Sequence, residues 1–577
     1  MLPNVFIKPK IKKMKTRSII CITCLIYFLL TRVAASQNAE WIFGIGNIDD
    51  DYSTSMITDV SGNVYVTGIF EGTVDFDPGI GIYALSTTGS VENTFIAKFN
   101  ANGDFVWAKQ FEGEAISESM TTDASGDIYI TGHFYGTVDF YPGAGVFNLS
   151  SAGNEDIFIS KLDTDGNFIT AIRIGGNQSD EALDLTIDNL NNIYVTGYFE
   201  DTVDFDPSSN INNIASAGGN DIFILKLSAS GDFLWVKQIG GLSTDRGYDI
   251  KIDSVGEIYV LGTFYDMVDF DFESSVDIHN SNGSKDIFIL KLDASGSFIW
   301  AKSIGGLLND VGNDIDLDSQ DNIYITGYFY DTVDFDPNLG TSNLISTGSR
   351  DIFILKLDTS GNFIWAKGTG GINSDIGKSI YIHTDDSIYV TGYFYDTVDF
   401  SPQPNDTFTS EGVEDIFLTK IDQNGNSIVT LTAGGIGYDS GSELISDAMG
   451  NIYMRGYFEE TVDFNPGPGE YELTSSGGYD FFLQKLSDNT LNVNSHDFEK
   501  TLVAYPNPTS ENSTIKLGQS YDDVTLTIRT VTGQLVTVRN YKTTDSIDFS
   551  IDANSGIYFA EVLADNSERA SLKIIKK

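Results

Sequence analysis

The sequence predicts an all-β chain, a closed seven-bladed β-propeller of about 65 residues per blade followed by a small C-terminal β-sandwich. The first observation is a repeat: a segment of the form Ile-Tyr-Val-Thr-Gly-Tyr-Phe occurs seven times, 64 or 65 residues apart, indexed by Gly68, Gly132, Gly197, Gly262, Gly327, Gly392 and Gly456. The second is periodicity, since every repeat reads as short β-branched and aromatic runs between glycine-containing turns, with no helical pattern competing. The third lies at the two ends of the array. Trp41-Ile42-Phe43-Gly44 matches the last strand of a repeat, while the seventh repeat stops after Asp480-Phe481-Phe482-Leu483-Gln484-Lys485 without one. An N-terminal strand completing the last blade removes the exposed edges an open array would present.

Within one repeat the elements follow in order. Tyr248 to Asp253 alternates as a first strand, and Ser254-Val255-Gly256-Glu257 is a tight turn. Ile258 to Phe264 is a second strand rich in residues that favour a pleated surface. A long connection carrying Met267-Val268-Asp269-Phe270-Asp271 leads to a third strand, Asp286 to Leu292. Asp293-Ala294-Ser295-Gly296-Ser297 then turns the chain into a fourth, Phe298 to Lys302. The two short turns of each blade fall on one face of the ring. The long connections, between second and third strands and between blades, fall on the other, where ligand recognition is expected.

The first 36 residues carry a basic stretch (Lys8 to Arg17), an apolar run from Ile19 to Leu30 and Ala34-Ala35-Ser36, the pattern of a secretory signal peptide. The run is too short to span a bilayer comfortably, so no transmembrane segment is expected in the mature chain. Both cysteines, Cys21 and Cys24, lie in that run, which excludes disulfide and thiol chemistry from the rest. Without residues 1 to 36 the chain has 27 basic against 82 acidic residues, and the repeat region alone has 18 against 72. Such a surface repels nucleic acid and anionic membranes and favours solubility in a salty medium. The expected division is signal peptide 1–36, propeller 37–491, linker 492–501 and C-terminal domain 502–577.

Two rings of carboxylates are expected on the long-loop face. One comes from the Val-Asp-Phe segments: Asp75, Asp139, Asp204, Asp269, Asp334, Asp399 and Asp463. The other comes from the blade-to-blade loops: Asp51, Asp180, Asp245, Asp310, Asp375 and Asp439. They are candidate ligand or cation positions, because calcium takes several hard oxygen ligands. The competing reading is that each Asp caps its own turn by accepting backbone N–H bonds, and the lack of companion ligands at calcium-loop spacing favours it. No other cofactor is expected. A lysine recurs in every third strand, Lys98, Lys161, Lys226, Lys291, Lys356, Lys420 and Lys485, each expected to answer a neighbouring carboxylate.

Catalysis on a symmetric ring needs residues that break the symmetry. His133 stands where most copies have Tyr, His383 where they have Asp, Arg455 where they have Thr, and Ala115 where a loop Asp is usual. They fall in different blades, no nucleophile elbow, zinc spacing or phosphate loop accompanies them, and no catalytic residue is assigned. Paired carboxylates for glycoside cleavage stay open in so acidic a chain.

After about Glu499 the charge becomes nearly balanced. Tyr505-Pro506-Asn507-Pro508, alternating strands such as Val524 to Ile528, a turn at Gly533, Gly556-Ile557-Tyr558 and the basic end at Lys576 and Lys577 follow. This tail closely resembles the C-terminal sorting domain of the type IX secretion system of Bacteroidota, and the repeats resemble secreted bacterial β-propeller repeat proteins with Asp-x-x-Gly-Asn-Ile-Tyr-Val-Thr-Gly units. The resemblance implies type IX machinery as a partner and an extracellular or outer-membrane surface location. The functional expectation is a non-enzymatic binding or adhesion module taking a glycan, a surface protein or a mineral cation. The alternative is an extracellular carbohydrate-active lyase or hydrolase using acids on the long-loop face or near the channel.

Overall fold

The structure, a computed structural model, describes residues 40–577 apart from 90, 274, 401–406, 466–470, 487–502, 506–507, 510–511, 531–533 and 565–567. The signal-peptide and linker segments therefore lie outside the described residues, as do Pro506, Asn507 and Gly533 of the tail. The chain divides into two compact units, one up to Leu491 and one from Asn492.

The first unit is a seven-bladed β-propeller. Blade 4 shows the pattern: Arg246–Ile252, Ile258–Phe264, Asp286–Leu292 and Phe298–Ile304 pair antiparallel in that order. The other blades repeat it, and the seventh takes Trp41–Ile45 as its outer strand, with Trp41 opposite Lys485 and Ile45 opposite Phe481. The main-chain bonds of that pairing close the ring.

Each second strand is buried along its length but for at most one half-buried residue, and Ile258–Phe264 is buried throughout, because one face of its sheet packs on the preceding blade and the other on the following one. This explains the near-continuous apolar runs. Burying one such side chain contributes about 1.5–3 kcal/mol. The glycine in the strand is a packing requirement: a Cβ on Gly262 would lie 2.0 Å from the Arg246 carbonyl oxygen of the neighbouring strand.

The long connections contain an element not expected from the sequence. Met267–Asp269 pairs with Ile278–Asn280 as a minor hairpin. In blades 2 and 6 it merges with the main strands, giving Ile128–Asp139 with Asn148–Leu162 and Ile388–Asp399 with Thr407–Ile421. The Val-Asp-Phe motif is its anchor: Val268 and Phe270 are buried, with Phe270 packed 5.5 Å from Phe264 and 5.1 Å from Phe288, while Asp269 faces out.

At the short-turn side, each third-strand lysine lies over the second-strand tyrosine of its blade. The ammonium sits 4.5 to 5.5 Å from the ring centroid in all seven blades. Lys291 also pairs with Glu257 at 2.5 Å, and the Tyr259 hydroxyl donates to Asp253. Cation–π contact of a desolvated lysine contributes about 2 kcal/mol.

The second unit is a five-stranded sheet of Val503–Tyr505, Asn512–Thr530, Leu535–Ser550, Gly556–Ala564 and Glu568–Lys576. A register break between Lys516 and Tyr521 lets the long second strand pair with different partners along its length, around a core containing Ile515, Leu526, Ile547, Val562 and Ile574. Of the tail's marker residues, Tyr505 and Pro508 are exposed. Gly556 pairs opposite Lys576, the Tyr558 hydroxyl donates to the Asn554 carbonyl, and the Lys576 ammonium donates to the carbonyls of Ile551 and Ala553. Lys577 donates its backbone N–H to Thr509.

Candidate functional site

The minor-hairpin carboxylates share one geometry. In Asp75, Asp139, Asp204, Asp269, Asp334 and Asp463, Oδ1 accepts the backbone N–H two residues on and again the N–H eight residues on, at 3.2 and 2.9 Å for Asp269. The side chain thus ties both limbs of the loop together. Asp399 holds the corresponding strand position, before a segment outside the described residues.

The blade-to-blade carboxylates Asp51, Asp180, Asp245, Asp310, Asp375 and Asp439 are fully buried. In each, Oδ2 accepts the N–H four residues earlier and Oδ1 the N–H twenty residues later, at 2.8 and 2.9 Å for Asp245. In every blade but the second, which has Ala115 there, they fasten the incoming loop to the exit of the second strand. Burial pushes them up, to about 6 for Asp245, Asp310 and Asp375 and about 7 for Asp51, Asp180 and Asp439, against the pull of those N–H donors.

Beside them stands a third set that the sequence reading passed over: Asp156, Asp221, Asp286, Asp351, Asp415 and Asp480, at the start of the third strands. Each is buried and accepts the N–H four residues earlier through Oδ2, while its Oδ1 is buried without a hydrogen-bond partner among the described residues. Burial raises all six, to about 7 for Asp286 and Asp415. Among the described residues, no group of three or more His, Cys, Asp and Glu side chains is arranged to hold a metal ion.

The first strands line the axial channel, and here a closed circuit of hydrogen bonds joins the blades. Each first strand carries a bulge, and the residue after it accepts an N–H from the next blade. Ser55 accepts from Met120, Ser119 from Leu185, Asp184 from Ile250, Asp249 from Ile315, Asp314 from Ile380 and Ser379 from Leu444, at 2.8 to 3.5 Å. Glu443 accepts from Met56 and closes the circuit. Blades 3, 4, 5 and 7 place carboxylates in it. Burial acts against ionised Asp249, but the charge of Lys251 at 3.1 Å, helped by the neighbouring carboxyls of Asp314 and Asp184, outweighs it and holds the group at about 2. Burial, and then the Asp249 charge, push Asp184 and Asp314 well above the usual carboxylate range.

The residues that break the repeat also meet here. His133 lies 3.8 Å from Glu118 and 3.9 Å from Glu181. Arg455 pairs with Glu443 at 2.6 Å and donates to the carbonyls of Ser53 and Thr54. Glu118 interacts with both Arg455 and Glu181 and is raised to about 8, mainly by burial. Residues in separate blades are thus brought to one channel wall by ring closure. His383 instead caps a short turn, with Nδ1 2.9 Å from Asp385, and Ala115 is buried in a first strand.

On the long-loop face, a cavity of about 520 Å³ opens at blade 4, lined by Ser243, Thr244, Arg246, Tyr248, Thr263, Tyr265 and Lys285. Arg246 lies over the Tyr198 ring at 4.2 Å, and the Thr263 hydroxyl donates to the Tyr248 oxygen at 3.2 Å. Hydroxyls, phenol rings and two cations converge on one concave space, the composition of a site for a polar ligand with flat apolar faces. Sequence reading missed these residues because it followed positions that repeat. Their signal was a local departure from acidity, with Lys285 and Arg350 standing where other blades have Glu92, Glu155, Asn220, Glu414 and Tyr479.

Residues 503–577 match the family described as secretion system C-terminal sorting domain. The chain therefore carries a type IX sorting tail, which marks it for export to the cell surface or extracellular space and for contact with the secretion machinery. Over 78% of its length it is 25% identical to an uncharacterized WD repeat-containing protein of Acanthamoeba polyphaga mimivirus, covering 38% of that protein. Over 49% it is 23% identical to the regulatory protein FlaEY of Caulobacter vibrioides, covering 30% of it. The chain thus spans about a third of the length of the curated relatives it matches. Among solved structures, Sqt1 from Chaetomium thermophilum aligns over 78% of the chain and 100% of its own, with a TM-score of 0.36 and 7% identity. A Bacteroides caccae protein of unknown function aligns over 46% and 91%, with a TM-score of 0.22 and 9% identity. No described helix is long and apolar enough to cross a membrane.

Proposed function

We propose that the chain is a secreted or surface-displayed, non-enzymatic binding and adhesion module whose long-loop face receives a glycan. The observation that carries this reading is the blade-4 cradle, where Ser243, Thr244, Tyr248 and Thr263 offer hydroxyls beside tyrosine rings. Sugars present equatorial hydroxyls around flat C–H faces, and such a lining satisfies both. The sorting tail agrees with it, because exported cargo meets extracellular polysaccharide. A glycan array run with a reducing-sugar release assay tests it: binding without turnover is expected. Failure of every glycan to bind overturns it.

The channel supports a second reading, an extracellular carbohydrate-active hydrolase or lyase. Asp249, held below the usual carboxylate range beside Asp184 and Asp314, which are pushed above it, offers carboxyls suited to base and acid roles. Turnover abolished by Asp249→Asn, with the melting temperature retained, establishes this reading in place of the first.

A further inference from the structure

The repeat region has 18 basic residues among 72 acidic ones, and the fold commits most of them to the architecture. Seven lie over the blade tyrosines, while Arg173, Lys251 and Arg455 hold Asp156, Asp249 and Glu443. Four others, Arg246, Lys285, Arg350 and Lys378, gather in one sector of the long-loop face, on blades 4, 5 and 6. None of the four makes an ion pair within 4 Å among the described residues.

Their mutual placement is read from their surroundings. Arg246 and Lys285 line the same cavity. Lys285 is electrostatically coupled to both arginines, and Arg350 to Lys378, with Glu414 the nearby carboxylate. Arg350 lies over the Tyr328 ring at 5.2 Å and Lys378 over Tyr393 at 5.8 Å, so three of the four cations are braced by aromatic faces as Arg246 is by Tyr198. The Nε of Arg246 and of Arg350 is buried without a hydrogen-bond acceptor among the described residues. Burial lowers Lys285 and Lys378, and their cationic neighbours add to it. Four like charges held together with Glu414 as the nearby carboxylate, in a protein otherwise this acidic, are relieved by an anion.

We propose that this sector is a binding site for an acidic glycan, with Arg246, Lys285, Arg350 and Lys378 recognising its carboxylate or sulfate groups. The proposal rests on the glycan reading above and names the class of sugar. Guanidinium forks match carboxylate and sulfate oxygens two at a time, and stacking on tyrosine fixes their planes. The adjoining hydroxyls of Ser243, Thr244 and Tyr248 favour a sugar over an acidic peptide.

Calorimetric titration of the full chain tests it with oligogalacturonate, a sulfated glucan, neutral dextran and poly-glutamate. Oligogalacturonate, the sulfated glucan or both bind, and affinity falls at least about tenfold from about 50 to 500 mM salt as counterions compete. The better of the two identifies the anionic group. Arg246→Gln with Arg350→Gln weakens binding at least about tenfold, whereas Lys109→Gln with Lys302→Gln, on outer strands, leaves it unchanged. If the arginine pair lowers the melting temperature, Lys285→Gln alone is read, with at least about fivefold weakening expected. Dextran bound as tightly, without salt dependence, overturns the acidic class and leaves the glycan reading standing. Poly-glutamate bound more tightly than either acidic glycan overturns the inference in favour of an acidic protein partner. No binding of any probe removes both.

Discussion

Replacing Asp286 by asparagine isolates the electrostatic burden of the carboxylates that start the third strands. Asp286 is 1% exposed, accepts one N–H from Asn282 at 2.9 Å, has an Oδ1 without a hydrogen-bond partner among the described residues, and stands beside the carboxyl of Asp310. Burial raises it from 3.8 to about 7. Between these values the folded chain holds a proton that the unfolded chain has released. The favourable contribution is therefore complete below about pH 4 and is lost as pH rises through about 7. A rise of about 3 units corresponds to about 4 kcal/mol, of which about 3 kcal/mol falls between pH 5 and 8. Asparagine keeps an acceptor for the Asn282 N–H and does not titrate. With an unfolding entropy of about 2.1 cal/mol/K per residue over roughly 450 propeller residues, 3 kcal/mol is about 3 °C. Differential scanning calorimetry of wild type and Asp286→Asn, at fixed ionic strength and with chelator present, reads the difference. The variant's melting temperature is expected to gain about 3 °C on wild type between pH 5 and pH 8. Parallel curves, or a variant that loses ground as pH rises, refute the reasoning.

Other perturbations probe other parts of the molecule. Lys251→Met strands Asp249 among the channel carboxyls and is expected to destabilise by about 3–5 kcal/mol in urea melts, with Asp249→Asn in the same chain restoring most of the loss. Gly262→Ala forces a methyl group to 2.0 Å from a backbone oxygen and is expected to remove more than about 3 kcal/mol, read from the urea midpoint. Deleting Trp41–Ile45 bares the edge of Asp480–Leu486, and chain association that grows with concentration, seen by light scattering, is the expected result. Removing residues 503–577 is expected to keep the propeller inside the cell envelope, as measured by fractionation.

Much of the fold was legible in the sequence because its signals are local. The strand runs, the glycines and the Asp-containing turns each report a conformation set within a few residues, and their sevenfold recurrence gave the blade count. Closure by Trp41–Ile45 was legible for the same reason, as a strand without a partner at one end and a partner without a strand at the other. The minor hairpin was less so, since Thr-Val-Asp and Ala-Leu-Ser are too short to stand out until Val74 and Phe76 are seen to be buried. The third-strand Asp set was overlooked because it reads as part of an ordinary strand.

The channel and the cradle depend on which residues the ring brings together. Asp184, Asp249 and Asp314 are 65 residues apart, and Glu443 accepts an N–H from Met56 near the other end of the array. Arg246, Lys285, Arg350 and Lys378 look like scattered bases until blades 4, 5 and 6 are placed side by side. The sequence by itself determined the repeat, the all-β class, the seven blades and the sorting tail, because backbone propensity and apolar periodicity act over short spans of chain. Only the tertiary structure decided where charge accumulates and which carboxyls are pushed above or below their ordinary range, because electrostatic energy depends on distance and burial, and closing the ring sets both.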